Sequence, residues 1–182
     1  MPHLTLDSTA SSLVLRTRAK GLLSKLAHDL ELRCRGVRAE GDRDGDAWRG
    51  RLVVPVAAIE VVGSIKKGKV DAAALAGWEI DQILQRLRQE VFAGVAEVIA
   101  VASGRQSRGD LEIAVGARGQ KVLALVEWRD RAGGQELRAK GEVSMRALGL
   151  AEVKAPLGAF TVADAVEWDA ALVFVEEGAA SS

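Results

Sequence analysis

The feature that most limits how this chain can fold is an odd–even alternation of apolar and polar residues in its last third. In 165-AVEWDAALVFV-175, Val166, Trp168, Ala170, Leu172 and Phe174 share one face; Glu167 and Asp169 share the other with Ala165, Ala171, Val173 and Val175. In 120-QKVLALVEW-128 the sets are Val122, Ala124, Val126 and Trp128 against Leu123, Leu125 and Glu127. In the run ending at Met145 they are Leu137, Ala139, Gly141, Val143 and Met145 against Arg138, Lys140, Glu142 and Ser144. A period of two is the signature of a strand whose faces see different surroundings. One face of each run is almost wholly apolar and must be covered.

The same reading extends upstream. Leu4–Asp7 and Leu13–Arg18 read as a first pair of strands joined by the turn-like Asp7–Ser12. Strand-like alternation resumes at Leu30 and runs to about Glu40. The turn signal Gly41–Asp46 leads into Ala47–Val56, where Pro55 must sit near an edge or an end. Glu97–Ala102 and Asp110–Val115 follow, and Asp130–Gly134 is a hairpin-type turn. The middle breaks the pattern with a helical insert over about 71–92. There Asp71 is expected to cap a short helix through Ala72–Leu75. Ile80, Ile83, Leu84, Leu87 and Val91 then fall at helical spacing from about Glu79 to Phe92.

Eight or nine strands joined mostly by short turns must run antiparallel, since parallel neighbours need long crossovers. Closing them into an up-and-down barrel removes exposed edges; a sandwich is the second arrangement. No repeat or linker divides the chain, so residues 1–176 are expected to form one domain, with 177–182 a frayed tail. Many inward positions hold Ala, Val or Gly, which favours room; space for one apolar ligand and a plainly filled core both fit the pattern.

Charge and cysteine usage narrow the function classes. Lys+Arg and Asp+Glu both number 25, which leaves neither the basic excess of a nucleic-acid binder nor a polybasic membrane anchor. Lys66-Lys67-Gly68-Lys69 reads as a solvated turn. No run is long enough for a membrane span, and the start shows no signal-peptide pattern, so a cytoplasmic location is expected. Cys34, the single cysteine, alternates with Arg33 and Arg35 and reads as a small buried apolar residue.

His28-Asp29 is the one pair that suggests chemistry. A zinc site needs three or four ligands, and the only other histidine is His3. Ser24 stands four residues before His28, but nothing marks an oxyanion hole. The pair is therefore expected to mark the entry to a strand, with Asp29 closing the turn. Gly104–Gly109 lacks the Lys-Ser/Thr ending of a phosphate loop and leads into a strand, so it reads as a turn. Trp48, Trp78, Trp128 and Trp168 are core residues or rigid contact surfaces at a cavity wall. No catalytic residue, metal or cofactor is expected.

Several stretches carry a family resemblance. Leu4–Asp7 through Ser11-Ser12-Leu13, the passage 20-KGLLSKLAHDLELRCRG-36, the insert Val70–Phe92, the strand Ile99–Ser103 and above all 148-LGLAEVKAPLGAFTVADAVEWDAALVF-174 resemble the YceI-like domain. Lys154, Pro156, Leu157, Gly158, Ala159 and Asp164 are in place in the last of these; Leu111–Ala117 lacks the histidine and hydroxyl common at that point of the family. The resemblance covers nearly the whole chain. It implies a mainly β, antiparallel up-and-down lipocalin-like barrel of about eight strands with a helical insert, of a type associated with polyisoprenoid binding. The partner expected is then a long-chain apolar small molecule of isoprenoid, quinone or fatty-acyl type, bound without bond chemistry. The expected contacts are the inward-facing Leu15, Leu32, Val101, Ile113, Val126, Trp128, Val143, Phe160, Trp168, Leu172 and Phe174. The alternative is a filled barrel serving as a protein-interaction module, as a homodimer for instance, through the helical insert or the loop 153-VKAPLGAF-160. Neither nucleic acid nor a membrane span is expected.

Overall fold

A computed structural model describes residues 3–21, 29–154 and 161–176. The chain winds as eight antiparallel runs into a closed barrel. In order these are β1 (His3–Thr17); β3 (Asp29–Cys34) continued by β4 (Arg38–Asp44); β5 (Ala47–Pro55) continued by β6 (Ile59–Lys66); β8 (Glu97–Arg105); β9 (Arg108–Val115); β10 (Arg118–Arg131); β11 (Gly134–Ser144); and β13 (Ala165–Glu176). The last run pairs back onto the first, from Leu4↔Glu176 to Arg16↔Glu167. Two short strands, β2 (Ala19–Lys20) and β12 (Thr161–Val162), make a small second sheet.

β1 departs from the sequence reading. Leu4–Asp7 and Leu13–Thr17 are one strand, and the turn signal between them is a bulge. Asp7 Oδ1 accepts the backbone N–H groups of Thr9 at 2.9 Å and Ala10 at 3.2 Å and the Thr9 hydroxyl at 2.7 Å. The Ser11 hydroxyl then takes a backbone place in the ladder, accepting the Val173 N–H at 2.8 Å. Asp and Ser side chains that bond their own backbone make turns; here the chain keeps its direction because β13 holds both halves.

The two bent runs turn together. Gly36 has φ of 61°, and Arg35 N–H donates to Ala58 O at 3.0 Å across the corner formed by a single 3-10 turn, Val56–Ala58. Pro55 ends β5, as its missing donor requires. β6 carries β7 (Lys69–Asp71), with Lys67 and Gly68 as the turn.

The short helix expected over Ala72–Leu75 does not form, whereas the longer one starts at Gly77, two residues before the expected Glu79. Ala72–Leu75 is turn, and Asp71 ends β7, with its carboxylate accepting the Ala73 N–H at 3.1 Å. Four residues cannot repay helix nucleation. Helix α1 spans Gly77–Arg86, its Glu79 carboxylate accepting the Ala76 N–H at 2.7 Å. A π-helical turn, Leu87–Val91, completes it before Ala93 and Gly94 turn the chain with φ of 47° and 83°. Among the described residues no helix is long and apolar enough to cross a membrane.

Candidate functional site

Because opposite residues in an antiparallel ladder point to the same side, the apolar faces converge on the axis. They do not fill it. An apolar cavity of about 530 Å³ runs through the barrel. Small side chains make this space: Ala139 stands opposite Ala170, and Ala102 opposite Gly50, which itself faces Gly41. A side chain at Gly41 would strike Arg49 O at 2.5 Å, so the wall is thinned to backbone there.

One end is closed by aromatic rings. Trp48 and Trp128 meet edge to face at 6.1 Å between centroids, and Trp128 lies 6.0 Å from Phe174. The Arg43 guanidinium sits 4.8 Å from the Trp128 centroid and caps this floor by a cation–π contact. Trp48 packs into a slot left by Gly104 and Gly109, and Trp168 into one left by Gly141. The indole nitrogens of Trp48, Trp128 and Trp168 are buried without a hydrogen-bond partner among the described residues. Each unmade bond costs roughly 1–3 kcal/mol, which the large apolar area of the ring outweighs.

The other end is roofed. Leu75, Ile83 and Leu87 of the insert reach the cavity from above, and Trp78 lines it while 64 % exposed. Two arginines hold this roof to the rim: Arg88 donates to Ala57 O at 3.0 Å and Arg86 to Lys154 O at 3.4 Å. Met145, Leu148 and Leu150 complete the rim. Their turn is tied by Asp164, which accepts the Ser144 hydroxyl at 2.6 Å and the Arg146 N–H at 2.8 Å, while Ala147 N–H donates to Ser144 Oγ at 3.0 Å. The Ser144 hydrogen bond, and then the Arg146 N–H, hold the Asp164 carboxyl below its usual range. A depressed folded value stabilises the fold fully above the unfolded value of ~3.9, and that contribution is lost as pH falls through the folded value. NMR titration is expected to place Asp164 below its usual midpoint and to move it back up in Ser144→Ala. An unmoved midpoint in that variant would refute the assigned cause.

Of the residues expected to face inward, Leu15, Leu32, Ile113, Val126, Trp128, Val143, Trp168, Leu172 and Phe174 line this one cavity. Val101 does not: it is on the outer face and 53 % exposed, while Val98, Ala100 and Ala102 point in. Val98–Ala102 is apolar at every position, so only Glu97 and Ser103 at its ends, which share Val101's parity, signal the outward face. Phe160 and His28 lie outside the described residues. Asp29 accepts the Ala19 N–H at 2.8 Å and so closes the approach to β3. Trp48, read as core or cavity wall, lines it; sequence reasoning missed Leu52 and Val54, although their alternation with Arg49 and Arg51 was a usable signal.

Titratable groups are sparse on this surface. Cys34 lines the cavity as a buried thiol pushed up to about 12 by desolvation, with Arg33 and Arg35 facing outward. Glu79, Gln82 and Arg86 stand at the roof, and Glu40, Asp42, Arg49 and Arg51 flank Gly41 and Gly50 in the wall. Among the described residues no group of three or more His, Cys, Asp and Glu is placed to hold a metal ion.

No family model matches the chain, and no curated protein does. Its fold is similar to that in the crystal structure of Burkholderia cenocepacia BcnA, with a TM-score of 0.67 at 12 % identity, over 92 % of this chain and 98 % of that one. The shared architecture is the closed lipocalin-like barrel.

Proposed function

We propose that the barrel binds and sequesters a long apolar molecule of isoprenoid, quinone or fatty-acyl type, without bond chemistry. The observation that carries this reading is the apolar cavity of about 530 Å³, floored by Trp48, Trp128 and Phe174 and roofed by the helical insert. Its volume lies within the ~300–1,000 Å³ of ordinary small-molecule sites. The similarity of the strand and loop motifs to the YceI-like domain favours a polyisoprenoid chain among these ligands.

The energetics favour length. Each buried methylene gains about 0.8 kcal/mol, against an association cost of ~4–15 kcal/mol. A short hydrocarbon would barely hold, whereas a chain of well over ten carbons would. Leu15, Leu32, Ile113, Val126, Val143 and Leu172 supply contact area, and the Trp128, Trp168 and Phe174 rings supply shape. Catalysis finds little support on this surface, because its one thiol is held protonated and its charged groups are split between the roof (Glu79, Arg86) and the strand pair around Gly41 and Gly50 (Glu40, Asp42, Arg49, Arg51).

Mass spectrometry of an organic extract of the protein purified from cells is the direct test. An apolar long-chain compound near one per barrel is expected. A clean extract, together with no uptake of added long-chain fatty acid, farnesol or ubiquinone by the purified protein, would defeat the reading.

A further inference from the structure

The outer face of β10 breaks the rule its inner face obeys. Leu123 and Leu125 are 80 % and 67 % exposed, side by side on the convex wall. Isolated exposed leucines need no explanation, but the charges around these two follow a pattern. Along the strand the outward residues read Lys121, Leu123, Leu125, Glu127, with opposite charges at the two ends. On the neighbouring β9, Asp110 stands opposite Leu123 and Arg108 opposite Leu125. On β11, Lys140 stands opposite Leu125, and Glu142 lies two residues further on the same face.

This pattern is antisymmetric about the point midway between the leucines. Consider a twofold axis through that point, lying in the plane of contact and perpendicular to β10. It lays a second β10 antiparallel over the first, with each strand facing its own copy. Leu123 then meets Leu125, Lys121 meets Glu127, Asp110 meets Arg108, and Lys140 meets Glu142. These three charge pairs are all of opposite sign, while Glu112, opposite Lys121, and Arg138, opposite Glu127, lie at the corners of the patch outside them. The other in-plane axis, along β10, would set Lys121 on Lys121 and Arg108 on Lys140. Self-complementarity under one twofold is what an isologous contact requires.

The geometry points to this face as a homodimer contact, with a second copy of the chain as its occupant. Two convex walls touch over only about three strands each, so the contact belongs with the small, weak and concentration-dependent class. It leaves the roofed end of the barrel free, and it stands independently of what the cavity holds.

Sedimentation velocity on the whole protein tests this. A monomer–dimer equilibrium is expected, weakened at least tenfold by Leu123→Asp with the thermal midpoint kept, since the side chain is largely exposed in the monomer. Lys121→Glu and Glu127→Lys should each weaken the dimer several-fold, and the double variant should restore it, because exchanging the two charges preserves the complement. A protein monomeric up to its solubility limit would overturn the proposal. So would a dimer indifferent to Leu123→Asp, or a double variant no tighter than the single ones.

Discussion

Ala102→Phe combined with Ala139→Phe is expected to abolish long-chain binding while leaving the barrel folded. These two alanines sit on different walls, and each stands where the ladder is thinnest: Ala102 opposite Gly50 and Ala139 opposite Ala170. Both line the cavity. A phenyl ring placed there enters empty space rather than a packed core, so the overpacking that usually costs ~1–3 kcal/mol is largely avoided. What it removes is the room a chain would occupy. The dissociation constant for a fluorescent long-chain fatty acid should rise at least 100-fold, or about 2.7 kcal/mol. The far-UV circular dichroism should be unchanged. Val101→Phe, on the outer face of the same strand as Ala102, is the matched control and should leave affinity as it was. Undiminished binding in a folded double variant would mean that the ligand sits elsewhere.

The second large effect concerns Trp168 and the slot that receives it. Trp168 is buried, and a methyl group at Gly141 would lie 2.7 Å from its Cζ2 and 3.1 Å from its Nε1. Trp168→Ala should cost ~3–5 kcal/mol, the range for emptying a large aromatic site. Gly141→Ala should cost ~1–3 kcal/mol by forcing the indole toward the cavity. Trp168→Phe removes the atoms that meet the new methyl group and also the unpartnered N–H. In that background the penalty at Gly141 should nearly vanish, giving a coupling of about 1 kcal/mol or more in urea denaturation. Strict additivity would show that glycine is required at 141 for backbone reasons and not for the ring. The two experiments are complementary, because the first adds volume where the wall has space and the second adds it where the wall has none.

These contrasts show what the sequence makes legible. The inner faces of β10, β11 and β13 are readable because charged residues mark the outer positions, as Arg138, Lys140 and Glu142 do beside Leu137, Ala139 and Gly141. Where that marking thins, parity is easily lost: Val101 sits in the apolar run Val98–Ala102, and only Glu97, Ser103 and Arg105 beyond its ends share its parity and mark it as outward. The bulge in β1 is a matter of what lies opposite, since Asp7–Ser11 has every property of a turn until β13 supplies a partner for Ser11. The continuation of β5 into β6 was missed for a related reason. The register slips beside Glu31–Leu32, and Val61 and Val62 both look like core. Cavity volume is further from reach, because it depends on the diameter that eight strands impose and on which small residues face one another across it.

The seam between β1 and β13 carries a consequence for biosynthesis. Leu4 pairs with Glu176, so the first strand waits for the last before its outer edge is satisfied. At ~5–20 residues per second on the ribosome, that wait is on the order of ten seconds or more. Throughout it the nascent chain holds a half-built trough of Leu, Val and Trp open to its surroundings. Variants that weaken the seam, such as Ser11→Val, should therefore reduce the yield of correctly folded protein in cells more than they reduce the equilibrium stability of what survives.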